Sequence, residues 1–88
     1  MKVKIKLLGS IGNLTGVKTV ELPVNKGDTV SKLIEKMVKV YGEQLKRRIF
    51  YRGGGLGVIL VLNGKQCNLD DKVKDGDEIS IMPPISGG

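Results

Sequence analysis

The clearest chemical signal in this sequence is its closing run, Pro83-Pro84-Ile85-Ser86-Gly87-Gly88. Proline offers no backbone N–H and fixes φ, so Pro83-Pro84 ends any sheet ladder and starts an extended stem. Glycine has no Cβ. A Gly-Gly end is therefore thin enough to enter a narrow channel and bring its backbone against a nucleotide or a cysteine. A free carboxylate is a poor acyl donor because it lacks a good leaving group. Adenylation by ATP supplies one, AMP, and a sulfur nucleophile or an amine can then take the acyl group. No charge-stabilising set for phosphate chemistry is evident in the chain itself. Metal, basic residues and nucleotide pocket would have to come from a partner.

Other reactive residue types offer less. Cys67 is the single cysteine and there is no histidine. An internal disulfide is excluded, and the commonest general base and zinc ligand are missing. With nothing to activate it, Cys67 reads as a structural thiol. The carboxylates Asp70, Asp71, Asp75, Asp77 and Glu78 do not follow calcium-loop spacing and read as solvated turns. Arg52-Gly53-Gly54-Gly55-Leu56-Gly57 lacks the Lys-Ser/Thr of a phosphate loop and reads as a flexible loop. Lys46, Arg47, Arg48 and Arg52 are the densest basic group, either a solvated face or a contact for an acidic partner. The net charge of +6 is otherwise dispersed, which argues against a dedicated nucleic-acid site.

Strands and one main helix must position the tail. From Met1 to Leu8, Val3, Ile5 and Leu7 alternate with Lys2, Lys4 and Lys6, as a half-buried strand requires. Residues 9–16 are polar and glycine-bearing and read as a loop. A second strand is expected over Val17–Leu22, ended by Pro23 and paired with the first as a hairpin. Val30, Leu33, Ile34, Met37, Val38 and Tyr41 share one helical face, with Asp28 or Thr29 to cap the start and a left-handed Gly42 to end it. Glu43–Tyr51 is a weaker helical or turn segment. Val58–Leu62 suits a strand, Asn63-Gly64 a tight turn, and 65–68 a short return strand. Glu78–Met82 alternates again, with Ile79 and Ile81 inward.

A helix needs a sheet to cover, and a right-handed crossover puts the last strand parallel to the first. The expected fold is α+β: a β-grasp domain over residues 1–82, with a mixed four- to five-stranded sheet, one main helix across one face, and an extended tail over 83–88. Only three aromatics occur, so the core must be aliphatic. Nothing after Met82 has the bulk to pack back. By parity with Leu7, Leu60 and Ile81, the side chains of Leu8, Ile59, Val61 and Met82 fall on the sheet face away from the helix. They form an apolar docking patch near the tail. No signal peptide and no run of about 18 apolar residues is present, so a cytoplasmic protein with no membrane partner is expected.

Lys74-Asp75-Gly76-Asp77-Glu78-Ile79 followed by Met82-Pro83-Pro84-Ile85-Ser86-Gly87-Gly88 resembles the end of the MoaD-type small subunits of molybdopterin synthase. It is similar, too, to the related small archaeal modifier proteins. Leu62-Asn63-Gly64 and Gly27-Asp28-Thr29-Val30 resemble other segments of this ubiquitin-like group. The resemblance implies that a ubiquitin-activating-type enzyme, using ATP and Mg, adenylates Gly88 and that it becomes a thiocarboxylate. The sulfur then passes to a pterin precursor in complex with a larger synthase subunit. Gly87, Ser86, Ile85, Pro84 and Pro83 would line the partner's channel, and the chain would bind no cofactor and hold no catalytic site. Three alternatives stay open: a modifier joined through Gly88 to lysines of target proteins, a sulfur carrier for tRNA thiolation, and a non-covalent binding module. The first loop, 9–16, lacks the arginine pattern common in the group, and the Arg52–Gly57 loop departs from it as well.

Overall fold

Alternation at the start of the chain becomes strand β1 (Lys2–Leu7), with Val3, Ile5 and Leu7 buried. The chain continues as α1 (Ser10–Thr15), β2 (Thr19–Pro23), α2 (Val30–Tyr41), α3 (Glu43–Ile49), β3 (Ile59–Leu62), β4 (Lys65–Gln66) and β5 (Glu78–Met82). This is a computed structural model, and it describes residues 1–51 and 53–84.

The five strands lie in the order β2-β1-β5-β3-β4. β1 and β5 are parallel, with Ile5 opposite Ile79 and Leu7 opposite Ile81. β3 is antiparallel to β5, with Leu60 opposite Ile81 and Ile59 opposite Met82. β5 is thus central, hydrogen-bonded on both sides, and it alone leads into the closing run. Ile11 of α1, Leu33 and Met37 of α2, and Leu45 and Ile49 of α3 join the inward strand residues in one core. All three helices therefore cover the same sheet face, and the mixed β-grasp sheet is as expected.

α2 starts and stops where its periodicity says. Thr29 is the cap, its hydroxyl accepting the Lys32 N–H at 3.3 Å. Asp28 instead accepts the Asn25 N–H at 2.9 Å and pairs with Lys36 at 3.4 Å. The Asn25 amide, with Lys36 adding to it, holds its carboxyl below the usual range. The first amides of α2 are met by carbonyls across the core, Val30 N to Asp71 O at 2.9 Å and Ser31 N to Leu69 O at 3.0 Å. Asn63 (φ 50°) and Gly64 (φ 86°) form the expected tight turn, whose positive angles match the twist of a hairpin.

Several expectations are corrected. Residues 9–16 are not a loop but the six-residue α1, closed by a left-handed Gly16 whose N–H reaches Gly12 O. Ile11 supplies the buried anchor, and Gly12 is required because a Cβ there would lie 2.6 Å from the Leu7 carbonyl oxygen. Gly42 has the positive φ (88°) that favours glycine, but its ψ of −171° takes it out of the left-handed helical region, so it is a glycine joint between α2 and α3 rather than a left-handed cap. β2 begins later than expected and includes Pro23, tolerable because β2 is an edge. The return strand β4 is only two residues long. The segment after α3 is tied rather than loose: Tyr51 N–H reaches Gly55 O, Gly57 N–H reaches Ile49 O, and Phe50 bridges Leu56.

Candidate functional site

The site lies at the end of the sheet where β5 runs out. Pro83 and Pro84 follow β5 directly and carry on past the ladder. Pro83 is not free of the domain. Gly9 turns at φ 59°, and a Cβ there would lie 3.0 Å from Pro83 Cγ, so the ring packs against the backbone between β1 and α1. The expectation that nothing beyond Met82 packs back is corrected for this residue. Ile85, Ser86, Gly87 and Gly88 lie outside the described residues, as does Arg52.

Sheet parity places the expected docking residues together. Ile59 and Met82 are directly opposed, Val61 faces Ser80, and Leu8 donates its N–H to Ile81 O at 3.0 Å, which continues the ladder beside Met82. Their side chains point away from the helices. Leu8 is 38% exposed, and Ile59, Val61 and Met82 are half-buried. The next rows toward the far end are charged: Lys6 pairs with Glu78 at 2.9 Å, and this contact lowers the Glu78 pKa. The outer face is therefore divided, with a closed ion pair in the middle and an apolar strip at the tail end.

Most of the acidic candidates, and Cys67, are absorbed by the fold. Asp71 and Asp77 accept the Asn68 and Lys74 amides at 2.8 and 2.7 Å, and Asp75 accepts the Lys2 amide at 2.8 Å. Asp71 and Asp77 close turns, and Asp75 ties the start of β1 to the segment before β5. Asn63 goes further than its turn signal: it donates to Asp77 and accepts the Glu78 N–H, both at 2.9 Å, which fixes the start of β5. Among the described residues no polar or charged side chain is buried, so no enclosed acid–base site exists there. Cys67 is buried, and desolvation, with Asp71 adding to it, pushes its thiol pKa up. The thiolate is the reactive form. Iodoacetamide should therefore label native Cys67 at neutral pH about ten-fold more slowly than in denaturant, the gap narrowing as pH rises past about 9. Equal rates at pH 7.5 would contradict the burial.

A profile of the ThiS family matches residues 5–88, nearly the whole chain. The chain belongs to that family. As a ThiS-family chain it is a ubiquitin-like β-grasp protein of the class that includes sulfur carriers and protein modifiers. It is 29% identical over 85 residues to small archaeal modifier protein 1 of Haloferax volcanii, covering 94% of this chain and 97% of the relative. The crystal structure of that relative superposes with a TM-score of 0.88 at 28% identity over 100% of both chains. The molybdopterin synthase sulfur carrier subunit of Arabidopsis thaliana is 30% identical over 88 residues, covering 100% of this chain and 84% of the relative. A second similar structure comes from a complex of subunits 1 and 2 of the molybdopterin-converting factor of Helicobacter pylori. Its TM-score is 0.64 at 26% identity over 100% of both chains. ThiS-family membership agrees with the resemblance drawn from the closing residues. No helix of the described residues is long and apolar enough to cross a membrane.

Reading the sequence alone left out Gly9 as the seat of Pro83, Ser10 as a partner of Arg48, and Tyr51 as a surface aromatic near the tail. A glycine just after a strand was the one available hint, since such positions commonly accept close backbone or ring approach.

Proposed function

We propose that this chain is a sulfur carrier whose Gly88 carboxylate is activated by a ubiquitin-activating-type adenylating enzyme in the cytoplasm. The carboxylate oxygen attacks the α-phosphorus of ATP and pyrophosphate leaves. Hydrosulfide delivered by the partner then attacks the acyl carbon, AMP leaves and the proton passes to solvent, giving a thiocarboxylate. The partner supplies nucleotide pocket and Mg. This chain supplies the acyl end, a proline stem at Pro83-Pro84 and a docking strip of Leu8, Ile59, Val61 and Met82. Ile85, Ser86 and Gly87 thread the partner's channel. The receiver of the sulfur is a pterin precursor held by a larger synthase subunit, a reading supported by the names of the Arabidopsis and Helicobacter relatives.

The observation that carries this reading is the alignment of three things at one sheet end: the central strand, the proline stem leaving it, and an apolar strip flanking that exit. The Haloferax relative favours a second reading, a modifier joined through Gly88 to lysines. Sulfur donation to tRNA is a third route from the same adenylate. Intact-mass spectrometry of the chain isolated from its own host separates them. Replacement of one terminal oxygen by sulfur is expected for the carrier, and heavier, Gly88-dependent conjugates for the modifier. Finding neither species under any growth condition would sink both.

A further inference from the structure

Beside Pro83 and Pro84 the surface hollows into a groove of about 410 Å³, with Ser10, Arg47, Arg48 and Tyr51 among its walls and Ile11 and Val58 at its base. A second hollow of about 370 Å³ shares Arg47 and Tyr51 with the first and adds Glu43, Lys46 and Phe50, a net positive lining. Arg47 and Tyr51 thus form a ridge between two concavities. Tyr51 is 63% exposed, a large aromatic left on the surface of a chain that has only three. Arg48 is steadied by a hydrogen bond to the Ser10 hydroxyl. Lys46, Arg47 and Arg48 are all exposed and carry no ion pair among the described residues. Cations at the end of α3 do complement the helix dipole. That accounts for their sign but not for the grooves or the uncovered aromatic.

We propose that this groove receives an acidic segment of the adenylating enzyme, a contact separate from both the apolar strip and the tail channel. The proposal rests on the carrier reading above and names the partner's chemistry at this surface. The guanidinium groups of Arg47 and Arg48 suit the planar fork of Asp or Glu carboxylates. Tyr51 and the proline rings suit an apolar side chain between them, and Arg with Tyr is the usual composition of an interface centre. A protein is favoured over RNA by geometry. The three charges sit on one turn of α3 beside the tail root instead of tracking a row of phosphates. Any protein that grips the tail at Pro83 and Pro84 must also run over the groove they line.

The test is ATP–pyrophosphate exchange by the adenylating enzyme of the same organism, measured on full-length chain. Arg47→Glu with Arg48→Glu is expected to raise KM about ten-fold with kcat unchanged, the gap closing at high salt. The control, Lys26→Glu with Lys72→Glu, makes the same charge change away from the tail root, Lys26 lying in the turn after β2 and Lys72 bridged to Thr29 at the start of α2. It is expected to leave KM within about two-fold. If the charge-reversed variant melts early, Arg47→Gln with Arg48→Gln replaces it, with an expected rise of about three-fold. An unchanged KM, or an equal rise in variant and control, overturns the groove while leaving the carrier reading intact. So does an unchanged KM accompanied by lost gel-shift of host tRNA, which would make the surface an RNA site. No exchange with the wild-type chain sinks the carrier reading, and this contact with it.

Discussion

Removing Gly87 and Gly88 is expected to abolish ATP–pyrophosphate exchange, to below about one-thousandth of the wild-type rate, without moving the melting temperature. A carboxylate is still present on the truncated chain, now on Ser86, so the chemistry of the group is unchanged. Its reach is not. Two residues of extended chain span about 7 Å, and a misplacement of about 1 Å at a reacting centre already costs about a hundred-fold. Gly88→Ala keeps the length and should lose less, which separates reach from bulk. The melting temperature is expected to hold because, among the described residues, the last core side chain is Ile81, one residue before the sheet ends. Truncated chain that still supports exchange would remove the basis of the proposed function.

The second large effect is expected on the outer face. Ile59→Lys combined with Met82→Glu should weaken binding to the adenylating enzyme or the synthase subunit by about thirty-fold or more, as loss of a central apolar contact does. The two positions are directly opposed across β3 and β5, so the new charges attract each other and the sheet keeps its register. Titration calorimetry against either partner measures it, and circular dichroism checks the fold. An affinity within two-fold of wild type, in a folded variant, would show that this strip faces solvent in the complex. Because the groove of Arg47 and Arg48 lies at the tail root and this strip on the outer sheet face, the two sets of variants should act independently.

How much of this was written in the sequence follows the range of each signal. Alternation in β1 and β5 and the apolar face of α2 are local patterns, with periods imposed by backbone geometry. They placed Ile5, Ile79, Ile81 and Leu33 inside, and by parity put Leu8, Ile59, Val61 and Met82 on the outer face. α1 was missed because its six residues carry no full apolar stripe. Ile11 alone anchors it, and only the finished core rewards that burial. Contacts between distant segments gave almost no local sign, the glycine just after β1 being the one hint. The Pro83 ring against Gly9, the Ser10–Arg48 hydrogen bond and the Asn63 bridge to Asp77 each join parts of the chain that meet only after the sheet has formed. The basic turn of α3 was visible as composition, but its place beside the proline stem was not.

The seclusion of Cys67 has a consequence under the proposed function, in which Gly88 becomes a thioacid. A thioacid sulfur is a soft nucleophile, and in the presence of a two-electron oxidant such as peroxide it couples with an accessible thiol to an acyl disulfide, the peroxide being reduced to water, which would cap the cargo or couple two copies. With its only thiol packed inside and disfavoured as thiolate, this chain has no partner of its own for that side reaction. Loaded carrier can then wait for its acceptor without self-quenching, and the choice of which sulfur it meets passes entirely to the proteins that handle it.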